Sequence, residues 1–353
     1  VSARPPEQRS AFLAALRSVL FEDPSAIEGL SPGDAAHADR LLESNGLEAA
    51  ASHLAAQTNV EERISPPRLA AWRTARLLAQ ARYAAYREAL DEVLEISRSQ
   101  GIPVRLVGPT QTVFAHLENP ELRPLASLDV QAPAGKERAL VTGLKSRRFF
   151  ESEELVHFDA SKHPHLHPLV RDGVTVKVHR ITLAGGYAAP WDEFPAEAAA
   201  STSPLALDPE ALLFVYSRDF AARRYTHSLS GLHDLAQLFA ARTPHGGRVL
   251  ALGEVVNALN STSSTGSPKD FLDEVRIALF LLSEVFDVPI DEDWVRGLEA
   301  RTEISPPRWK LLCKISTASL LQYPASLRLV GLVGKHIEGV RIRDEVAAED
   351  LRG

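Results

Sequence analysis

From residue 101 to about residue 186 the hydrophobic pattern changes period, and this change constrains the fold more than any other feature of the chain. Before it, apolar residues recur at helical spacing: Phe12, Leu13, Leu16, Val19 and Leu20, then Leu41, Leu42, Leu47 and Leu54 after a break at Ser31-Pro32-Gly33. From Arg68 to Gln100 there is neither glycine nor proline, so one long helix is expected there. Ser65 is placed to cap it, with Pro66 at the first helical position and Ile64 and Leu69 as a hydrophobic staple. The same cassette, Ile304-Ser305-Pro306-Pro307-Arg308-Trp309, opens a later helix and reads as a reused capping solution.

Within 101–186, Val174, Val176 and Val178 alternate with Thr175, Lys177 and His179, the period-two signature of a sheet with one buried face. Lys177 and His179 then share the other face with Thr175. Further strands are expected at Val104–Val107, Leu128–Ala132, Glu154–Phe158 and Ile181–Leu183. Helices are expected at Thr110–Leu117 and Gly135–Lys145. From 208 to 335 the pattern is helical again, with a clear start at Ser267-Pro268-Lys269-Asp270 after the polar loop Asn260–Gly266. The reading is α+β: a helical segment over 1–100, a small mixed sheet domain over 101–190 and a helical domain over 191–353.

At 353 residues the chain can bury more than one core, and a net charge of −7 argues against a nucleic-acid partner. No apolar run approaches a membrane span, and no signal-peptide pattern opens the sequence. Cys313 is the single cysteine and sits in an apolar helical run, where a buried, inert thiol is expected. A cytoplasmic protein is the expectation. No Walker A loop, dinucleotide fingerprint, nucleophile elbow or zinc-protease motif is present.

Three short segments carry candidate chemistry: Gly101-Ile102-Pro103 through Gly108, Arg123-Pro124 through Ser127 and Asp129, and Lys177-Val178-His179. With His167-Pro168-Leu169-Val170-Arg171 and Leu232-His233-Asp234-Leu235-Ala236, their order and spacing resemble a bacterial family of nucleotidyltransferase fold. Its members often sit near peptide natural-product or polysaccharide genes. In such enzymes two acids on one strand and a third on its neighbour hold two magnesium ions. Here Ser127 stands where the first acid is expected, Asp129 keeps the second, Lys177 replaces the third, and Val107 replaces a phosphate-binding lysine. The resemblance therefore implies a degenerate member with no cofactor, with Ser127, Asp129 and Lys177 vestigial and with Asp129 ion-paired to Lys177.

A cleft lined by Arg105, Arg123, Asp129, His167, Lys177, His179 and Arg180 would be electropositive inside an acidic protein and suited to an acidic peptide. The basic cluster Lys136, Arg138, Lys145, Arg147 and Arg148 lies nearby in sequence. The family setting makes the expected partners a ribosomally made precursor peptide and a modifying enzyme. The chain is also similar to peptide-binding accessory proteins of crocagin-like pyrroloindoline pathways. The alternative is a metal-dependent nucleotidyltransferase or phosphotransferase with an altered active site. His157, His163, His165, His167 and His179 crowd one region, and alternation at 163, 165 and 167 could suit zinc. Pro164 and Pro168 interrupt that segment and no cysteine is near, so a hydrogen-bonding loop is expected and no metal.

Overall fold

A computed structural model describes residues 6–152, 163–181, 194, 204–207, 209–222, 229–240, 268–290, 296, 298 and 306–321. The strand expected at Glu154–Phe158, most of Ile181–Leu183, the Asn260–Gly266 loop, the Ser267 cap and His157 lie outside the described residues.

Four helices open the fold: α1 (Pro6–Phe21), α2 (Pro32–Asn45), α3 (Glu48–Gln57) and α4 (Pro66–Gln100). The Ser31-Pro32-Gly33 break is a helix start. Ser31 Oγ accepts the Asp34 amide at 3.2 Å, and Pro32 at the first position has no amide to leave unsatisfied. Gly46 ends α2 with φ +63°, and a Cβ there would fall 2.6 Å from Pro124 Cγ. Backbone conformation and close approach both require glycine at this position.

Ser65 is the N-cap of α4, as expected, but its side chain makes no cap bond. Its amide instead donates to Glu28 Oε1 at 2.8 Å, while Arg68 grips Asp39 through two nitrogens at 2.8 and 3.0 Å. An ion-pair cluster thus surrounds the start of α4, where α2 has a hydroxyl cap.

The sheet has five strands: β1 (Arg105–Leu106), β2 (Leu128–Gln131), β3 (Phe150–Glu151), β4 (Leu169–Arg171) and β5 (Val174–His179). Their order is β1-β2-β5-β4-β3, with β2 and β5 parallel and the other pairs antiparallel. Between β1 and β2 lies α5 (Gly108–Gln111), which runs on into a π turn over Thr112–His116. After β2 comes α6 (Glu137–Ser146). The helices α7 (Pro209–Ala222), α8 (Leu229–Ala240), α9 (Pro268–Phe286) and α10 (Pro306–Leu320) complete the described elements. The mixed helix and sheet content agrees with the α+β expectation.

Buried apolar side chains fall into two cores. One unites α1, α2, α3 and the first turns of α4, as far as Trp72, with α7 to α10. The other sets Tyr86, Leu90, Val93 and Ile96 of α4 against Leu128, Val130, Val176 and Val178 of the sheet. The long helix therefore serves both cores, and residues from the two ends of the chain share the first. Gly143 lets α6 approach α4 closely, since a Cβ there would lie 2.4 Å from Ile96 Cγ2. Arg171 ties β4 to α4 through two bonds to Glu92, at 2.6 and 2.8 Å. Beyond β1, Leu205 adds an outer extended segment: it accepts the Leu106 amide at 2.9 Å and donates to Val104 at 2.8 Å. Among the described residues, no helix is long and apolar enough to cross a membrane.

Candidate functional site

The polar face of the sheet is built by strand alternation. Val174, Val176 and Val178 are buried against α4, which leaves Thr175, Lys177 and His179 on the opposite face, as their spacing predicts. Parallel pairing then places Asp129 beside Lys177 and Gln131 beside His179. On the other side of β2, Arg105 pairs with Gln131. The chain just before β4 runs alongside β5 and sets His165 against His179 in an antiparallel bridge. Arg105, Gln131, His179 and His165 thus form one polar row across four segments, with Asp129 and Lys177 in the row below.

Asp129 is the centre of this face. Its Oδ1 lies 2.7 Å from His179 Nε2, and its Oδ2 accepts from Ser127 Oγ at 2.5 Å. Its amide donates to Thr110 Oγ1 at 2.8 Å, and the Thr110 hydroxyl donates to the Ser127 carbonyl at 3.2 Å. Burial by itself raises the Asp129 pKa. The His179 bond and charge, the Lys177 ammonium and the Ser127 hydroxyl more than reverse this, and the group sits at about 2. Asp129 is therefore ionised at neutral pH with a protein donor on each oxygen.

The expected ion pair with Lys177 is not formed: Lys177 acts on Asp129 through its field, and His179 makes the contact. The contact runs diagonally across the parallel pair, from Asp129 to the residue two positions beyond its direct neighbour Lys177.

The other histidines are local. The His165 ring stands edge-on to His179 at 5.2 Å between centroids, and its Nδ1 lies 2.7 Å from the Leu166 carbonyl. Burial, against a partial upward push from that carbonyl, lowers its pKa to about 4, so the ring is neutral. His167 Nδ1 lies 3.1 Å from the Pro168 carbonyl. Among the described residues, no group of three or more His, Cys, Asp or Glu side chains is placed to hold a metal ion.

Of the expected cations of the cleft, Arg105 and Lys177 stay on the polar face and Arg123 leaves it. Arg105 is buried and donates to Gln131 Oε1 at 2.8 Å, with its guanidinium 4.4 Å from the centre of the Phe194 ring. Arg180 donates to the His163 carbonyl at 2.8 Å. Arg123 points to the helical core, where its Nε is 3.0 Å from both oxygens of Asp234. Burial lowers the Arg123 pKa, and the Asp234 carboxylate together with Tyr216 raises it by more. Tyr216 OH donates to Asp234 at 3.1 Å and lies 2.9 Å from Thr112 Oγ1. In the basic cluster near α6, Lys145 pairs with Glu151 and Arg147 with Glu95. Cys313 is buried, and burial pushes its thiol up to about 11.

Sequence reasoning passed over Thr110, Gln131, Thr112 and Tyr216, because uncharged polar residues far apart in sequence give no signal of meeting. Asp234 lay in a segment singled out only for its resemblance, with no role attached.

The resemblance implies a pair of magnesium ions in active members, and these residues do not fit them. Magnesium wants near-octahedral oxygen ligands of high charge. The face offers one carboxylate in its central rows, engaged on both oxygens, with an ammonium in the neighbouring position. No family model matches the chain, and no curated protein or solved structure matches it.

Proposed function

We propose that this chain is a non-catalytic peptide-holding protein on a degenerate nucleotidyltransferase-like fold. Its role is to present a ribosomally made precursor peptide to a modifying enzyme of natural-product biosynthesis. The state of Asp129 carries this reading. A site for two magnesium ions needs several carboxylates, whereas here Asp129 is the one acid in the central rows of the face and already holds a donor from His179 and another from Ser127. Lys177, in the paired position on β5, favours an anionic group over a cation at this face. Metal-dependent nucleotidyl or phosphoryl transfer would require this one carboxylate to hold magnesium while His179 and Ser127 compete for its oxygens, with the ammonium tolerated beside the metal.

The sheet also offers a place for an extended peptide. On the β1 side the edge is met by Leu205. On the far side, β3 pairs with β4 alone among the described residues, and Phe150 is 65% exposed. A peptide adding a strand to β3 would gain backbone hydrogen bonds and a large apolar contact.

Calorimetric titration with a candidate precursor peptide, with and without chelator, tests this reading. Binding is expected to be indifferent to chelator and weakened about tenfold by Lys177→Glu, the scale of one charge-assisted contact. Peptide binding that needs a divalent metal, or that Lys177→Glu leaves unchanged, contradicts it.

A further inference from the structure

A helix at a protein surface turns its apolar stripe inward and its charges outward. The middle of α4, between the two cores, departs from this. Trp72, Ala79 and Tyr86 form its buried face, one heptad apart. On the opposite face lie Ala70, Thr74, Leu77, Ala81 and Ala84, all exposed, at spacings that alternate between four and three residues. Leu77 is 67% exposed, and Leu78 beside it is 59% exposed. Single exposed leucines are ordinary; two adjacent ones on an uncharged stripe mark an interaction surface.

The repeat of this stripe is the seam of a coiled coil. In that register Arg73, Gln80 and Arg87 form one flank, and Leu78 widens the other. The small side chains at most seam positions let a second helix approach closely. From Ala70 to Ala84 the seam is about 21 Å long, which suits a weak, transient contact.

The flanking charge selects the partner. Pro66–Arg87 carries Arg68, Arg73, Arg76, Arg82 and Arg87 and no acid, in a chain of net charge −7. Arg68 is held in the cluster at the start of α4. Arg73 and Arg87 meet Glu61 at 2.9 Å and Asp91 at 3.5 Å, but keep 56% and 55% of their side-chain surface. Exposed pairs of this kind are weak and give way readily to a new acid. Among the described residues, Arg76 and Arg82 form no ion pair.

A second copy of this chain does not complement such a face. Antiparallel pairing of two seams sets the arginine flank of one copy against that of the other, and parallel pairing supplies neither with an acid. An anionic membrane surface is also a poor match, because interfacial helices bury a bulky apolar face and this one is mostly alanine.

We propose that the outward face of α4 docks an acidic amphipathic helix of a partner protein. Large apolar side chains of that helix pack on Leu77, Leu78 and the alanines between the turns, and its acids meet Arg73 and Arg87. The proposal stands independently of the peptide reading, which concerns the sheet.

A synthetic helix of three heptads, with Leu along its seam and Glu on both flanks, is a suitable probe. Its flanks repel pairing with itself, and a counterpart with Lys on both flanks is the control. Each is labelled and titrated with the full chain by fluorescence anisotropy. The Glu helix is expected to bind with a Kd of tens of micromolar, and the Lys helix at least about tenfold more weakly. Leu77→Glu with Leu78→Glu should abolish binding, with Ala81→Glu as the substitute if the double variant does not fold. Arg73→Glu with Arg87→Glu should reverse the preference, so that the Lys helix binds more tightly. Absence of Glu-helix binding to about 500 µM overturns the proposal. So does equal binding of the two helices, or binding that survives the seam substitutions in a folded protein. Dimerisation in sedimentation velocity that Leu77→Glu abolishes would assign the face to a second copy instead. Binding to phosphatidylserine–phosphatidylcholine vesicles that the same substitution abolishes would assign it to a membrane; either result overturns the proposal.

Discussion

Asp129 and Asp234 are both carboxylates taken out of bulk water and given a basic partner, yet they sit in different kinds of environment. Asp234 has a fully buried side chain and faces a guanidinium; Asp129 keeps 16% of its side-chain surface and faces an imidazole. Burial raises the Asp234 pKa even though Arg123 and Tyr216 pull against it, whereas the donors around Asp129 hold it at about 2. The first carboxylate closes a loop of contacts between the cores: Arg123 to Asp234, Asp234 to Tyr216, Tyr216 to Thr112. The second lies on a polar face with an ammonium beside it. A fully buried carboxylate paired inside the core is expected to hold the fold together, and a partly exposed, pre-charged one is expected to meet something outside it.

The largest expected effect breaks the buried pair. Asp234→Ala leaves an uncompensated guanidinium in the helical core and should cost about 3–5 kcal/mol in urea unfolding. Arg123→Met combined with Asp234→Leu removes both charges and should recover most of that loss. If the double variant is as unstable as the single one, the pair is not the source of the cost.

Asp129→Asn comes next, at about 2 kcal/mol at neutral pH, from the difference between a folded pKa of about 2 and the ordinary aspartate value of 3.8. The sign follows from the depression. The stabilisation is fully present above pH 4 and is lost as pH falls through about 2. The native protein should therefore lose stability over that window, and the Asn variant should show a flatter acid limb in urea titrations at stepped pH.

Gly46→Ala probes the junction without touching charge. The left-handed backbone and the close Pro124 ring together should cost about 1–2 kcal/mol, with no change in pH dependence. Lys177→Ala should have the smallest effect on stability, within about 0.5 kcal/mol, because it acts on Asp129 through space. A larger loss would mean that Lys177 belongs to the structural class with Arg123.

The sheet was legible where alternation was strong. β5 and β2 follow directly from their valines and leucines, and the face shared by Thr175, Lys177 and His179 follows with them. Strands β3 and β4 were not legible, because two or three residues containing an exposed Phe150 and a half-buried Arg171 carry no period. Proline and glycine gave the helix starts but not their mechanism: Ser31 caps with its hydroxyl, whereas the Ser65 hydroxyl accepts from Arg68 and its amide donates to Glu28. At the candidate site, Ser127, Asp129 and His179 were identifiable as a group. The choice of partner was not, since the register sets Lys177 directly beside Asp129 and yet His179, diagonal to it, makes the contact. Arg123 and Asp234 stand 111 residues apart, and a pair at that separation leaves no mark in local sequence. The long helix was visible as a continuous run, but its division between two cores emerges only from packing.

The claim that Asp129 is already satisfied by the protein is tested most directly by calorimetric titration of the intact chain with magnesium–ATP and magnesium–CTP. No magnesium-dependent heat is expected with either nucleotide at micromolar concentrations. Micromolar, magnesium-dependent nucleotide binding that Asp129→Ala abolishes would contradict it.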